Sequence, residues 1–322
     1  MNETIPPNAI REALDRIRPH IHRTPVLTSR TLDAEAGNSV FLKCENFQRA
    51  GAFKFRGACN AVSQLTAEER RRGVVTHSSG NHAQALALAA RLFGTACRVV
   101  MPTNAPAVKR QATESYGATI VPCEPTLEAR LATVERVIAE TGAVHIPPYD
   151  DDRIIAGQGT AALELLEDVP ELDCILAPVG GGGLLSGTAL AAQLAAKPPA
   201  VIGCEPAGAD DAHRSFYAGV RVERATPRTI ADGLRTTLGV RNFAIIRARV
   251  RDIVLVTEEE IVEAMRFVWE RMKIVIEPSS AVAVAPALFR KLKVSDQKIG
   301  VIVSGGNVDA RALFERLRQG SA

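Results

Sequence analysis

Hydrophobic and polar positions along the chain follow two periods, one typical of strands and one typical of helices. Short runs rich in β-branched residues are separated by stretches in which apolar residues recur every three or four positions. This alternation predicts βαβ units, and therefore parallel sheets flanked by helices. The runs that predict strands are 39–45, 73–77, 97–102, 118–124, 174–179, 200–205, 252–256 and 300–306.

Two helices are marked clearly by spacing and by end signals. Ile10, Ala13 and Ile17 share one face near the start of the chain and predict an amphipathic helix. In the second half, Thr257 and Glu260 have the spacing of a capping box, which predicts a helix start at that point.

The stretch 175–196 carries no charge and is long enough to cross a membrane. It contains Pro178 and the glycine run 180–183, which are better explained by a strand, a glycine loop and a helix. The N-terminal residues show no basic segment followed by an apolar one, so no secretory signal is expected. These observations predict no membrane contact and a cytoplasmic location.

Composition narrows the function classes. A chain of 322 residues, 46% hydrophobic and 23% charged, is long enough for two associated α/β lobes. The net charge of +3 is spread along the chain, so no nucleic-acid surface is expected. The six cysteines form no C-x-x-C pair and are expected to be buried reduced thiols.

The segment GAFKFRGA (51–58) places one lysine between two aromatic residues. Phe53 and Phe55 would keep water from the Lys54 ammonium, which lowers its pKa and favours the neutral amine that forms imines. The alternative is a lysine whose stem merely packs at a helix start while its charge reaches water.

A second candidate is VGGGGLLSG (179–187), which joins an apolar strand to a helical run. Backbone N–H groups at such a helix start present a site for a phosphate. The alternative is a tight turn without a ligand. The spacing departs from G-x-G-x-x-G, so a nicotinamide dehydrogenase is disfavoured.

Two further loops carry small polar residues. THSSGNHAQ (76–84) joins a predicted strand to a helix and offers hydroxyls and an amide to a carboxylate or phenolate oxygen. VIVSGGNVD (301–309) places Ser304 at the carboxyl edge of a strand, where open α/β sheets bind ligands. The alternatives are a side-chain cap, from Ser79 or Asn81, and a simple turn.

Taken together, these segments resemble the fold-type II pyridoxal-phosphate enzymes, specifically the serine/threonine dehydratase and serine racemase group. The resemblance extends over nearly the whole chain and implies a tryptophan synthase β-like α/β fold, with two entwined lobes, each built on a mostly parallel twisted sheet. It implies a large cofactor-binding domain, 1–70 plus 151–322, and a small mobile domain, 71–150. The matching segments, in the family's order, are GAFKFRGA, HSSGNHAQ, PYDDDRIIAGQGT (148–160), PVGGGGLLSG, CEPAGADD (204–211), TIADGL (229–234), IEPSSAVAVA (276–285) and VSGGNVD.

The resemblance implies pyridoxal 5'-phosphate as cofactor. Lys54 would bind it as a Schiff base, Phe53 would pack near its ring, and Asn81 would hydrogen-bond its phenolic oxygen. Ser304 would face the pyridine nitrogen. The residues implied to grip the phosphate are Gly180, Gly181, Gly182, Gly183 and Leu184, and those implied to lie beside the cofactor are Gly233 and Glu277.

The same resemblance implies a reaction. The freed Lys54 amine would take the Cα proton of an amino-acid substrate while the cofactor takes up the charge. A serine partner such as Ser304 cannot keep the ring nitrogen fully protonated, so loss of a β-hydroxyl is favoured. The expected activity is deamination of L-serine, L-threonine or threo-3-hydroxyaspartate to a 2-oxo acid and ammonia.

Ser79 matches the serine that racemases use as acid and base on the opposite ring face. An amino-acid racemase with side dehydratase activity is therefore the alternative within the family. In the other direction, Tyr149 replaces an asparagine of the racemases and is similar to threonine dehydratases. The residues implied to contact substrate are Ser78, Ser79, Asn81, His82, Arg130 and Thr236.

An acidic loop follows one predicted strand. The resemblance assigns Glu205, the carbonyl of Ala209 and Asp211 to a stabilising cation, Mg²⁺ or else Ca²⁺ or Mn²⁺, and oxygen ligands of this kind suit such ions. Without the resemblance, the alternative is an acidic loop that is only exposed to solvent and binds no ion.

Two expectations complete the interpretation. A homodimer is expected because the family is usually dimeric. A remote alternative is a non-catalytic protein that binds a phosphate ligand on the same scaffold, but such a protein has no use for a desolvated lysine amine at position 54.

Overall fold

A computed structural model describes residues 5–105, 107–309, 311 and 313–315. All eight predicted runs form strands. The strands are β1 Val26–Leu27, β2 Ser39–Cys44, β3 Val74–His77, β4 Cys97–Pro102, β5 Thr119–Cys123, β6 Val144–His145, β7 Cys174–Pro178, β8 Ala200–Pro206, β9 Asp252–Val256 and β10 Lys298–Val303.

Helices alternate with the strands, as the periodicity predicts. A π-helical turn, Val268–Met272, extends one of them. The α-helices are α1 Asn8–Ile17, α2 Arg30–Ala36, α3 Lys54–Ser63, α4 Ala67–Arg72, α5 Asn81–Leu92, α6 Ala107–Ser115, α7 Leu127–Thr141, α8 Asp152–Asp168, α9 Gly183–Ala192, α10 Asp211–Ala218, α11 Val240–Arg249, α12 Glu258–Phe267 and α13 Pro278–Leu288.

The strands form two sheets. The larger has six strands in the order β1-β2-β10-β7-β8-β9, and the smaller has four in the order β5-β4-β3-β6. Every strand pairing is parallel except that of β1 with β2. The predicted α/β class with mostly parallel sheets is therefore confirmed. Because parallel strands end at one edge, the loops after β2, β7 and β10 converge, as do those after β3 and β6.

The four strands of the smaller sheet all lie between residues 74 and 145, and the six strands of the larger sheet lie outside that range. The predicted boundaries at 70 and 151 fall between these two sets of strands. The division into a large domain and a small mobile domain stays a prediction.

Local chemistry explains where the predicted helices begin. The Thr257 hydroxyl accepts the Glu260 N–H at 3.3 Å, and the Glu260 carboxylate accepts the Thr257 N–H at 2.8 Å, so the predicted capping box is confirmed. The stretch 175–196 forms β7, the glycine loop and α9, as predicted. No helix among the described residues is long and apolar enough to cross a membrane.

Two strands were not predicted. Val26–Leu27 and Val144–His145 are each two residues long, too short to show a period of two. They pair at sheet edges with β2 and β3, respectively, so tertiary contacts produce them.

The core of the larger lobe surrounds α8. The residues of this helix from Ile154 to Leu166 are all buried, because α8 packs against α3 on one side and α9 on another. Buried aliphatic residues of α1, α8, α9, β7 and β8 form one continuous cluster. The helices that begin at Lys54 and at the glycine loop are thus held on one rigid support.

Candidate active site

Lys54 is the first residue of α3 and lies where β10 ends. The backbone N–H of Phe53 donates to the carbonyl of Ser304 at 2.9 Å, which fixes the start of α3 against that strand end. The Lys54 amine donates to the carbonyl of Pro148 at 2.8 Å and lies 5.1 Å from the centre of the Phe53 ring. The lysine is therefore held between the two sheets.

Burial changes the ionisation of this amine. It lowers the pKa of Lys54 to about 8, because an ammonium group loses hydration in the interior, and the charge of Glu277 opposes the shift. A substantial fraction of the amine is thus neutral near physiological pH. The predicted desolvation of Lys54 agrees with this environment, although Phe53 rather than both aromatic residues is the ring in contact.

Asn81, Glu277 and Asn307 form a hydrogen-bonded group beside Lys54. The Asn81 amide donates to both oxygens of Glu277, at 2.9 and 3.1 Å, and the Asn307 backbone N–H donates to the same carboxylate at 3.1 Å. The Asn307 side chain donates to the Asn81 Oδ1 at 3.0 Å. Burial raises the pKa of Glu277 to about 7, while its bond from Asn81 opposes the rise.

Ser304 lies buried at the end of β10, as the strand pattern predicts. Its hydroxyl is 3.0 Å from that of Ser280, which in turn accepts the Gly305 N–H at 2.7 Å. The hydroxyl of Ser304 therefore has a neutral partner, and no carboxylate bonds it among the described residues.

The glycine loop connects β7 to α9. Since α9 begins at Gly183, the N–H groups of its first turn, which include that of Leu184, have no carbonyl partner within the helix. Gly182 has a φ of 93°, a left-handed conformation that favours glycine. The carbonyl of Gly181 accepts the Gly239 N–H at 3.1 Å, which holds the loop. The donors fit an anion such as the phosphate of the implied cofactor.

Other predicted residues line this loop. A Cβ on Gly180 would lie 3.3 Å from the Thr236 hydroxyl and 3.4 Å from the carbonyl of Gly233. The Gly233 N–H donates to the Ser279 hydroxyl at 3.1 Å. The structure thus brings Thr236 and Gly233 to the glycine loop.

The turn after β3 carries Ser78 and Ser79. The Ser78 hydroxyl accepts the Gly80 N–H at 3.2 Å, and neither Ser79 nor Asn81 caps α5 with its side chain. The alternative in which these residues serve only as helix caps is therefore wrong. The Asn81 side chain instead bonds Glu277 and Asn307, across the site from α5.

His82 lies one residue after Asn81 and is buried. Its Nε2 is 3.1 Å from the carbonyl of Ile146, and its Nδ1 has no partner among the described residues. Burial, and next the positive charge of Lys54, lower the pKa of His82 to about 3. The imidazole is consequently neutral, and it is close enough to Lys54 for the lysine charge to lower its pKa.

Arg130 lies in the first turn of α7. Its Nε is buried, and no carboxylate pairs with it in the part of the chain that the structure describes. Burial, His145 and then Arg130 lower the pKa of His77 to about 4. Arg130 is therefore a neighbour of His77, the residue before Ser78, at the carboxyl edge of the smaller sheet.

The predicted metal ligands lie at the end of β8, which contains Glu205, and in the residues that follow it. Both oxygens of Glu205 accept backbone N–H groups, from Ala212 at 2.8 Å and His213 at 2.7 Å. Asp211 is buried, and its Oδ2 has no partner among the described residues. Burial raises the pKa of Glu205 to about 9 and that of Asp211 to about 6.

The described residues contain no group of three or more His, Cys, Asp or Glu side chains placed to hold a metal ion. A cation at this loop would need the Ala209 carbonyl and water beside the two carboxylates. The unpartnered oxygen of Asp211 and the shortage of positive charge around Glu205 are compatible with such an ion.

Three residues near Lys54 were absent from the sequence-based set: Pro148, Ser280 and Asn307. All three lie within the matching segments, at 148–160, 276–285 and 303–309. Their roles depend on contacts across 24 to 226 positions, which neighbouring residues in the sequence do not report.

Comparison with known proteins shows which family the chain matches. Residues 17–305 match the model of the pyridoxal-phosphate dependent enzymes. A serine racemase of Dictyostelium discoideum is 49% identical over 313 residues, with 96% of each chain covered. An L-threo-3-hydroxyaspartate ammonia-lyase of Saccharomyces cerevisiae is 49% identical over 301 residues, covering 93% of this chain and 92% of the yeast protein. The solved structure of maize serine racemase covers 98% of both chains with a TM-score of 0.94 and 46% identity.

Proposed function

Because the chain belongs to the pyridoxal-phosphate dependent enzyme family, we propose that it deaminates a hydroxy-amino acid and that L-threo-3-hydroxyaspartate is its preferred substrate. The observation that carries the proposal is the buried amine of Lys54, whose lowered pKa leaves it partly neutral beside Asn81 and Glu277. Neutral amines bind aldehydes and accept protons, and ammonium groups do neither.

The residues fit the cofactor at three points. Lys54 offers the amine, the loop from Gly180 to Leu184 offers N–H donors for a phosphate, and Ser304 offers a hydroxyl for a ring nitrogen. When bound, pyridoxal phosphate supplies the electron sink that takes up charge from the substrate Cα.

The protein's own groups then direct the reaction. The Lys54 amine takes the proton from the substrate Cα, and burial keeps its pKa close to the working pH. The hydroxyl of Ser304 stabilises a positive ring nitrogen less than a carboxylate would, so departure of a β-hydroxyl is favoured over transamination. Ser78, Ser79 and Asn81, around the first turn of α5, supply donors for the substrate carboxylate.

The preference for 3-hydroxyaspartate is supported by Arg130. A half-buried guanidinium whose Nε is buried and which has no carboxylate partner among the described residues suits a substrate that brings a second carboxylate. Two ammonia-lyases for this substrate, from yeast and a Pseudomonas species, are 49% and 50% identical to this chain.

A substrate panel tests the function. The holoenzyme is incubated separately with L-serine, L-threonine, D-serine and L-threo-3-hydroxyaspartate, and 2-oxo acid, ammonia and product chirality are measured. We expect the highest kcat/KM for L-threo-3-hydroxyaspartate. Equal or greater kcat/KM for serine or threonine would contradict the substrate assignment but leave the deaminase assignment in place.

Arg130→Gln tests the source of that preference. A charge-assisted hydrogen bond contributes about 1.5–3 kcal/mol, so KM for 3-hydroxyaspartate should rise at least about tenfold. KM for L-serine, which lacks the second carboxylate, should change less than about threefold by the same reasoning. A parallel rise for both substrates would place Arg130 at the shared carboxylate or outside the site.

Racemisation is the second candidate function. It is supported by Ser79, whose side chain does not cap α5, and by the 49% identity to a serine racemase. Formation of D-serine from L-serine in the panel would establish this activity, and its absence would remove it.

A stabilising cation is proposed at the loop after β8, held by Glu205, Asp211 and the Ala209 carbonyl. A cation between Glu205 and Asp211 would oppose the rise in their pKa values, because a nearby positive charge favours the ionised carboxylates. Addition of Mg²⁺, Ca²⁺ or Mn²⁺ after chelation should raise the melting temperature, and Asp211→Asn should remove the increase. A melting temperature that none of the three ions changes would contradict the proposal.

A cytoplasmic location and a homodimer complete the proposal. All six cysteines are free and buried, which agrees with a reducing compartment. Sedimentation velocity tests the dimer, and a single species of 34.5 kDa at micromolar concentration would contradict it.

A further inference from the structure

Helix α8 lies between the two helices that begin at the proposed cofactor site. α3 begins at Lys54 and α9 begins at Gly183, and α8 packs against both. Within α8, Gly157 and Gly159 stand two positions apart. Residues two apart in an α-helix point about 200° from each other, so these glycines face opposite sides.

Gly157 faces α3. A Cβ at this position would lie 2.6 Å from the Gly57 Cα and 2.7 Å from the Arg56 carbonyl oxygen. Both are backbone atoms, which cannot rotate out of the way. α8 and α3 therefore touch backbone to backbone, and any side chain larger than hydrogen would separate them.

Gly159 faces α9 in the same manner. A Cβ there would lie 2.6 Å from the Gly187 carbonyl oxygen, and a Cβ on Gly187 would lie 2.5 Å from the Gly159 nitrogen and from the Ile155 carbonyl oxygen. The second contact is thus as close as the first, and it also involves backbone on both sides.

Buried polar contacts hold α3 in register with α8. The Gln158 Oε1 accepts the Gly57 N–H at 3.2 Å. Arg56 donates to the two oxygens of Glu164 at 3.0 and 2.7 Å, with both side chains buried. These bonds oppose sliding and rotation of α3 against α8. The distance between the two helices is then determined by the glycine contact.

We propose that Gly157 and Gly159 are positioning residues that set the distance between Lys54 and the glycine loop, so that one ligand engages both. Gly57 follows Lys54 by three residues and Gly187 follows Gly183 by four, so each contact lies about one helical turn from a binding group. The inference rests on the proposed cofactor roles of Lys54 and the loop. Pyridoxal phosphate gains affinity from simultaneous engagement of its aldehyde and its phosphate.

The test compares a ligand that engages both ends with ligands that engage one. The full-length protein is purified with its cofactor, stripped with a carbonyl scavenger, and titrated with pyridoxal phosphate, pyridoxal and inorganic phosphate. With either aldehyde, the Lys54 amine forms a C=N bond and releases water, which absorbance reports. Calorimetry follows inorganic phosphate.

Gly157→Ala should raise the Kd for pyridoxal phosphate by about 100-fold, since linked engagement contributes factors of about 10²–10⁴ that are lost when geometry forbids it. The Kd values for pyridoxal and inorganic phosphate should change less than about threefold, because each half-site stays intact. Gly159→Ala and Gly187→Ala each add a methyl group at the contact between α8 and α9. The test needs only one of the three variants to fold.

Leu163→Ala is the matched control. Leu163 is buried on the same helix, and its truncation lowers stability by leaving a cavity without bringing backbones into collision. It should lower the melting temperature and leave the ratio of the three Kd values unchanged.

Two results would overturn the inference. Glycine variants that bind pyridoxal phosphate like the wild type, or that lose all three probes to the same degree, would remove the spacing role alone. Wild-type protein that binds pyridoxal phosphate on no lysine would overturn the proposed function and the spacing role with it.

Discussion

Burial determines the ionisation of the side chains around Lys54. It lowers the pKa of Lys54 to about 8 and that of His82 to about 3, and it raises the pKa of Glu277 to about 7. All three shifts favour neutral forms, because the interior disfavours charge. The site therefore contains a neutral imidazole and a basic amine close to its working pH, which suits proton transfer at a substrate carbon.

The first prediction concerns the Lys54 amine in the cofactor-free chain. Its acylation rate should rise with pH around a midpoint near 8, whereas the urea-denatured chain should follow the ordinary lysine value of 10.5. Mass spectrometry of the peptide that contains Lys54 measures both profiles. A midpoint in the folded chain at the denatured value would contradict the proposed desolvation.

A second prediction follows from the same shift. The folded chain binds the Lys54 proton less tightly than the unfolded chain, so stability should rise with pH between about 8 and 10.5. Below about pH 8 the cost of the buried ammonium is present in full. Lys54→Met should be more stable than wild type at neutral pH and should lack this part of the rise, as urea unfolding at several pH values would measure.

The third prediction separates the two reaction faces. Ser79→Ala should abolish racemisation of serine while kcat for deamination of L substrates falls less than about threefold, because Lys54 alone serves the face used by L substrates. Ser115→Ala is the control, since it removes an exposed hydroxyl at the end of α6 that bonds only the Ala112 carbonyl. Equal loss of both activities in Ser79→Ala would contradict the assignment.

At the residue scale, short motifs predicted the identity of the site but not its hydrogen bonds. Lys54 and the glycine run were marked by their immediate neighbours, and the structure places each of them at the start of a helix. Asn307 was not predicted, because its importance comes from bonds to Asn81 and Glu277, which lie far away in the sequence.

At the element scale, α3 and α8 are joined by a buried ionic group. Arg56 pairs with Glu45 at 2.7 Å and with Glu164 at 2.7 Å, and Lys43 pairs with Glu164 at 2.7 Å. The charges of two positive and two negative side chains therefore balance, and all four side chains are buried. Such a group gives little net stability but a specific orientation.

The fourth prediction concerns this group. Glu164→Gln leaves Arg56 and Lys43 with one carboxylate between them, so the free energy of unfolding should fall by about 3–5 kcal/mol. Urea denaturation measures the loss. Glu167→Gln, which removes a half-exposed partner of Arg23 on the same helix, should cost less than about 1 kcal/mol. Similar losses for both variants would contradict the account of the buried group.

Strand and helix positions were largely predictable because β-branched runs and helical spacing alternate cleanly along this chain. The close approach of α8 to two other helices was not predictable. Glycine in a helix interior usually signals lower helix stability, and only the structure shows that Gly157 and Gly159 oppose other backbones.

At the scale of the whole molecule, the site lies where the two sheets meet. Lys54 begins a helix that follows the larger sheet, while Ser79, Asn81 and His82 follow a strand of the smaller one. An ion pair between Lys109 and Asp232 also joins the two parts, next to Gly233. The proposed site therefore draws its residues from elements that follow both sheets.

Sequence motifs could predict that residues from the two sheets come together at one site. They could not predict the contacts that join the two parts of the chain. The pairing of Lys109 with Asp232 spans 123 positions, and neither residue stands out from its neighbours. Motion of the 71–150 segment relative to the rest also stays a prediction.

The central claim is that Lys54 carries the cofactor, and borohydride reduction tests it most directly. The purified protein should absorb visible light, and after reduction the peptide that contains Lys54 should carry the mass of the cofactor. Lys54→Ala should lack both the absorbance and the labelled peptide. A cofactor label on another lysine of the wild type, or visible absorbance that persists in Lys54→Ala, would contradict the account.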